Sequence, residues 1–155
     1  MKHSAGIILY RNKENPEVFL VHPGGPYWWN KDKHSWSIPK GKFKHSEEEP
    51  LEAAKREFKE ETGFEVDGNF SKLEPFQQRS DKIIYPFVLE GDLDSSDINS
   101  DTFEMEWPPD SGNIKEFPEV DKGEWFNIEK AKEKIHKNQK PVLEKLLKYF
   151  ESGKP

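Results

Sequence analysis

The chain of 155 residues contains no cysteine. That absence excludes disulfides, zinc–thiolate sites and a cysteine nucleophile together, and it suits a reducing compartment. Long apolar runs are missing too, since no stretch approaches the roughly 20 residues of a membrane span. Met1-Lys2-His3-Ser4 leads straight into a short apolar segment. It lacks the charged lead, long apolar stretch and small-residue cleavage site of a signal peptide. The expectation is a soluble, cytoplasmic protein with no membrane contact. Positive charge is scarce, with 24 Lys and Arg against 30 Asp and Glu and a net charge of −6. A general nucleic-acid binder would usually be basic, so nucleic acid is not an expected partner. An acidic chain that met phosphate would need local positive charge or bound cations.

What is present is enough for one ordinary core. A length of 155 residues favours a single domain over 1–155, and a chain of that size buries roughly 68–70% of its unfolded surface. Aromatic residues make up 13% of the chain, which supplies large side chains for that core. The apolar runs Ala5–Tyr10 and Glu17–His22 read as strands, separated by the turn cluster Asn12–Pro16, and suggest a hairpin. Pro23-Gly24-Gly25-Pro26 then breaks the chain, and Tyr27–Ser37 reads as irregular and aromatic. Lys82–Glu90 reads as a strand, with Pro86 pointing to an edge or a bulge. The acidic, turn-rich stretch Asp92–Gly112 reads as a long solvated loop, in which Trp107-Pro108-Pro109 would form a rigid cover. Gly123–Phe126 is a short strand, Asn127 suits the cap of a helix running to about Lys137, and Pro141 suits the opening of a last helix. That helix would present Val142, Leu143, Leu146, Leu147 and Phe150 on one face. The order of elements predicts a mixed α/β domain.

Leu51–Thr62 is the clearest helix. Pro50 suits its first turn and Gly63 its C-terminal cap. Ser46 and Glu49 would make a capping box if the helix began earlier. At about 100° per residue, Glu57, Glu60 and Glu61 share an arc of about 100°, with the small Ala53 inside it. Leu51, Ala54 and Phe58 form an adjacent apolar stripe, and Glu52, Lys55 and Lys59 face the remaining side. Like charges at these spacings cost a helix roughly 0.2–0.5 kcal/mol per pair. Hard divalent cations prefer such clustered carboxylate oxygens, and Mg²⁺ is commonly shared between a few carboxylates and substrate phosphates. By itself, an E-x-x-E-E helix is more often a solvated face.

The surrounding pattern decides between those readings. From Gly41 to Phe64 the chain resembles the signature of the Nudix hydrolases: Gly, five residues, Glu, seven residues, then Arg-Glu-apolar-x-Glu-Glu-x-Gly-apolar. Arg56, Glu57, Phe58, Glu60, Glu61, Gly63 and Phe64 match in register, and Glu48 precedes Arg56 by the required eight positions. The departure is one extra residue between Gly41 and Glu48, in the loop before the helix. Trp36–Gly41 and Glu119–Phe126 are similar to the strands that flank the signature in the family. The resemblance implies an α/β/α sandwich with a mixed sheet. It also implies a Mg²⁺-dependent pyrophosphohydrolase, Mn²⁺ being a substitute, with Glu57, Glu60, Glu61 and Gly41 at the metal. Arg56 would pair with Glu48 and orient the loop. A metal-activated water would attack phosphorus, with Glu60 or a carboxylate from a distant loop as base.

Lys40, Gly41 and Arg79 are candidate phosphate contacts, although for Arg79 a solvated surface role is the commoner outcome. Tyr27, Trp28 and Trp29 are candidates for stacking on a base, worth roughly 1–3 kcal/mol per base, although aromatic clusters more often serve packing. His3, His22, His34, His45 and His136 show no pairing pattern, and structural or surface roles are their default. The expected substrate is a small nucleotide, a dinucleoside polyphosphate or nucleoside triphosphate, since the chain looks closer to the bacterial diadenosine polyphosphate hydrolases than to broad nucleotide-pool cleaners. The competing readings are a nucleotide-binding module without catalysis and an RNA 5′-end pyrophosphohydrolase. An intact acidic helix weighs against the first, and the missing basic run weighs against the second.

Overall fold

The computed structural model describes residues 1–153; Lys154 and Pro155, the last two of the expected domain span, lie outside the described residues. A seven-stranded mixed sheet carries helices on both faces. Its centre is β1 (Lys2–Arg11), which runs parallel to β6 (Lys82–Glu90) on one side. On its other side β1 pairs antiparallel with β2 (Glu17–Pro23) at Tyr10–Arg11 and with β3 (Lys40–Phe43) at His3–Gly6. β9 (Val120–Asn127) closes the edge beyond β2. β4 (Ser71–Lys72) and β5 (Phe76–Arg79) share the outer edge of β6.

The continuous apolar run of β1 is explained by this position, because a strand covered on both faces needs no polar alternation. Ala5, Ile7 and Leu9 pack with Phe19, Val21, Ala53, Ala54 and Phe58 under α1 (Pro50–Thr62). Ile8 and Tyr10 pack on the opposite face with Trp36, Ile38 and the residues of α2 (Ile128–Lys134) and α3 (Lys140–Glu151). The α/β/α layering matches the expectation.

Pro86 corrects one reading, since β6 is an interior strand and not an edge. Carbonyl and amide of one residue point to the same side of a strand, and the Pro86 carbonyl accepts from Leu73 N at 3.1 Å. The missing donor therefore lies on the same side, opposite Leu73 just past the end of β4, and away from the parallel pairing with β1. A second correction concerns Asp92–Gly112. It contains β7 (Thr102–Glu106), which forms a separate antiparallel hairpin with β8 (Ile114–Pro118). Thr102-Phe103-Glu104-Met105-Glu106 alternates polar and apolar as a half-covered strand does, a signal masked by the acidic composition around it. Trp107-Pro108-Pro109 lies at the tip of this hairpin. α2 also ends earlier than expected. Asn127 caps it by accepting from Lys130 N at 2.8 Å, but Ile135 is drawn into a bridge with Trp36, and His136 N donates to Trp36 O at 2.7 Å.

Candidate active site

α1 begins at Pro50, and its preceding residue, Glu49, makes no side-chain cap, so the capping box does not form. The helix ends at Gly63, whose φ of +80° places it in the left-handed region where glycine is unstrained. The last carbonyls of a helix need partners from outside. Here they come from the segment after β6: Asn99 N donates to Thr62 O at 2.9 Å and Asp101 N to Glu60 O at 2.7 Å. Glu119 N in turn donates to Asp101 O at 2.8 Å. A chain of backbone bonds thus ties the acidic helix to the start of β9 and brings a fourth carboxylate, Glu119, to the site.

Arg56 organises the N-terminal half of the cluster. Its Nε and Nη2 donate to the two oxygens of Glu48 at 2.8 and 2.9 Å, a bidentate pair, and Nη2 also donates to Lys42 O at 3.2 Å. Nη1 donates to Glu57 at 2.9 Å and to Glu60 at 3.2 Å. The pairing with Glu48 holds that carboxyl below its ordinary range. Glu61 faces the other way, accepting from Lys40 N at 3.1 Å. Gly41 lies against Glu57: a Cβ there would sit 2.0 Å from the Glu57 carboxyl. Only glycine permits that approach of backbone to carboxylate.

The electrostatics are unbalanced. Burial raises the Glu57 pKa, and neighbouring Glu60 adds to the rise. Burial pushes Glu61 up to about 8, against the opposing pull of the Lys40 amide and ammonium. Glu119 is also raised, by burial first and then by Asp101 and Glu60. One guanidinium thus stands among more carboxylates than it can neutralise. The donors are all hard oxygens, so Glu57, Glu60 and Glu61 fit a divalent cation by chemistry, and the missing Gly41 side chain lets the Glu57 carboxylate lie against the backbone. Among the described residues no three such side chains already converge on one point, because Glu57 and Glu60 are turned toward Arg56.

A cavity of about 220 Å³ adjoins this cluster, with Trp28, Lys40, Glu61, Gln78, Glu119 and His136 among its walls. Burial lowers the Lys40 pKa, with Glu61 and Glu57 opposing the fall. Burial likewise lowers that of His136. Of the aromatic candidates, Trp28 lines the cavity, whereas Tyr27 is 69% exposed and packs edge-on against Trp28. Trp29 turns to the hairpin, edge-on to Trp107 and Phe117. Arg79 is exposed and pairs with Asp81 at 3.0 Å, yet it stands close enough to Lys40 and Lys82 to influence both. Sequence reasoning left Glu119 and His136 unassigned. Nothing local marks either of them, and only the fold carries them to the cavity.

Residues 1–146 match the NUDIX domain family. A candidate mRNA-decapping protein of Acanthamoeba polyphaga mimivirus is 27% identical over 145 residues, covering 85% of this chain and 37% of its own. The chain spans between 37% and 39% of the length of the curated relatives it matches. Among solved structures, the NUDIX domain of Shewanella oneidensis NrtR, in complex with ADP ribose, superposes with a TM-score of 0.63 at 12% identity, covering 95% of this chain and 86% of that one. A C. elegans Ap4A hydrolase in a binary complex gives 0.59 at 18% identity, with 98% and 99% coverage. These identities speak to the fold, while the match over 1–146 speaks to descent: the chain belongs to the NUDIX domain family.

Proposed function

We propose that this protein is a Mg²⁺-dependent pyrophosphohydrolase that cleaves a phosphoanhydride bond in a nucleoside diphosphate-linked substrate. One observation carries the reading: Glu57, Glu60 and Glu61 on α1 share a site with Gly41, Lys40 and Glu119, beside a cavity sized for part of a nucleotide. Mg²⁺, or Mn²⁺ in its place, would be held by Glu57, Glu60 and Glu61 with the Gly41 backbone. When bound it acidifies water and neutralises charge on phosphate oxygens. The oxygen of water attacks phosphorus, the bond to the bridging oxygen breaks, and the leaving phosphate departs as an anion toward Lys40. Glu119 is our choice for the proton acceptor, because Glu60 is engaged by Arg56 while Glu119 has no ion-pair partner among the described residues. Trp28 offers a face for the base, and Arg79 a rim charge for a distal phosphate.

For the substrate we favour a dinucleoside polyphosphate or nucleoside triphosphate. The likeness to an Ap4A hydrolase fold supports that choice, and the NrtR domain adds ADP ribose to the panel worth testing. The mimivirus relative motivates a second reading, an RNA 5′ end. We place the activity in the cytoplasm and in one domain over 1–155, on the absence of cysteine and the length of the chain. Among the described residues no helix is long and apolar enough to cross a membrane. The test is chromatographic product analysis with Mg²⁺ and diadenosine tetraphosphate, nucleoside triphosphates, ADP-ribose, NADH and 5′-triphosphorylated RNA. Cleavage of one class by wild type and not by Glu61→Gln is expected. Tight nucleotide binding with no product from any substrate would overturn catalysis in favour of a binding module.

A further inference from the structure

Lysines scattered along the sequence meet on one face of the sheet. Side chains alternate faces along a strand, so the cross-strand registers Lys2↔Lys82, Ser4↔Lys42 and Gly6↔Lys40 put Lys2, Lys40, Lys42 and Lys82 on one side. Arg79 on β5 is the partner of Lys82 on the outer side. Like charges directly opposite each other destabilise a sheet, and this row repeats the clash twice, Lys2 with Lys82 and Lys82 with Arg79. Asp81 relieves Lys2 and Arg79, at 3.9 and 3.0 Å. Among the described residues no carboxylate stands at ion-pair distance from Lys40, Lys42 or Lys82. Lys82 is half-buried, and burial together with Lys40 pushes its pKa down to about 8.

Two further features mark this face as built for a ligand. Ser4 is fully buried, and its Oγ has no hydrogen-bond partner in the protein; the buried Oε1 of the half-buried Gln78, at the cavity wall, has none either. Orphaned polar atoms of this kind are rare in native proteins. Gly6 keeps space for the Lys40 stem, since a Cβ there would lie 2.8 Å from Lys40 Cβ. Lys40 lines the cavity, and Lys42 follows two residues on, roughly 6.6–6.8 Å away at the ordinary rise of a strand. A basic track therefore leaves the cavity along β3 and crosses to β6, in a chain whose net charge is −6.

We propose that Lys82, Lys42 and Lys2 form a second subsite that takes a chain of phosphates extending from the substrate bound in the cavity. The substrate class is one with a phosphate chain longer than a simple diphosphate bridge, supplied either by the backbone of a 5′-phosphorylated oligonucleotide or by a linear polyphosphate. The proposal rests on the hydrolase reading only for where the chain begins. Lysines dispersed over β1, β3 and β6 make no basic run, which is why the linear sequence argued against such a ligand.

The experiment measures binding at several salt concentrations with the full chain and the double variant Lys42→Gln/Lys82→Gln. Probes are a labelled 5′-triphosphorylated RNA decamer, inorganic tripolyphosphate and AMP. Wild type is expected to hold one or both chains at least ~10-fold more tightly than AMP. The variant should lose that advantage, with a salt slope shallower by about one unit per lysine. The probe that loses affinity names the source, oligonucleotide or polyphosphate. Removing an unpaired like charge should leave the variant at least as heat-stable as wild type, which separates lost binding from lost folding. Cleavage of ADP-ribose and nucleoside triphosphates, measured alongside, reports separately on the hydrolase reading. Unchanged chain binding in the variant, or wild-type chain binding no tighter than AMP, overturns the proposal.

Discussion

At the scale of single residues the candidate site is unbalanced, carboxylates outnumbering the cations that hold them. Glu61 shows it most clearly, since burial pushes its carboxyl up to about 8. Glu61→Gln should cut Mg²⁺-dependent turnover by ~10²-fold or more, about 2.7 kcal/mol of barrier at 1.36 kcal/mol per decade; single-turnover assays at saturating metal read this directly. The same substitution carries a pH signature. A carboxyl whose folded pKa is raised binds its proton more tightly in the native state, so its contribution to stability is complete below the ordinary pKa of 4.5 and is lost as pH rises toward about 8. In metal-free protein, Glu61→Gln should match wild type in Tm near pH 4.5 and exceed it near pH 8. A Tm difference that is flat across this range would show that the buried carboxylate costs the fold nothing. Gly41→Ala acts by space: its methyl would lie 2.0 Å from the Glu57 carboxyl. We expect a loss of about 1–3 kcal/mol from overpacking, read by urea titration, with Mg²⁺ affinity falling in parallel.

At the scale of elements, α1 is an acidic face with one end clamped. Its register was legible because Pro50, Ala54, Phe58 and Gly63 obey helix rules that local sequence expresses. The clamp was not. Asn99 and Asp101 lie in a stretch whose composition reads as solvated loop, and their function is to lend backbone donors to Thr62 and Glu60, which no side-chain pattern announces. Nor was the interior placement of β6, because whether Pro86 harms a strand depends on where its neighbours begin and end. Pairing of Arg56 with Glu48 was legible from the signature, while Glu119 became visible only through the fold. Gly63→Ala tests the clamp. The residue would be held at a φ of +80°, and its Cβ would meet Asn99 O at 2.8 Å. The left-handed conformation alone costs roughly 1–2 kcal/mol. We expect destabilisation of at least that size in urea titration, together with a fall in kcat, because pushing Asn99 away also loosens the link through Asp101 to Glu119.

At the scale of the whole molecule, the two cores and the hairpin divide the labour. The sheet and its helices bury Trp36, Phe58 and Leu146 almost completely, and this supports the fold without help from β7 and β8, which form a sheet of their own. The hairpin instead reaches the site through its ends. Asp101 precedes it and Glu119 follows it, bonded to one another, and Phe117 and Trp107 meet Trp29 in the segment that carries Trp28. Replacing 103–117 with a short Gly-Ser linker should therefore separate stability from activity. The shortened chain should still unfold cooperatively, since loop-closure entropy changes only slowly with loop length and neither core is entered. Turnover should fall while α1 keeps its carboxylates, because the segment carrying Trp28 loses Trp107 and Phe117 and the Asp101–Glu119 link is no longer closed by a hairpin. Thermal unfolding and steady-state kinetics on the same preparation distinguish the outcomes. A variant that no longer folds would make the hairpin part of the core, and one that keeps full kcat would leave the hairpin without a role in turnover.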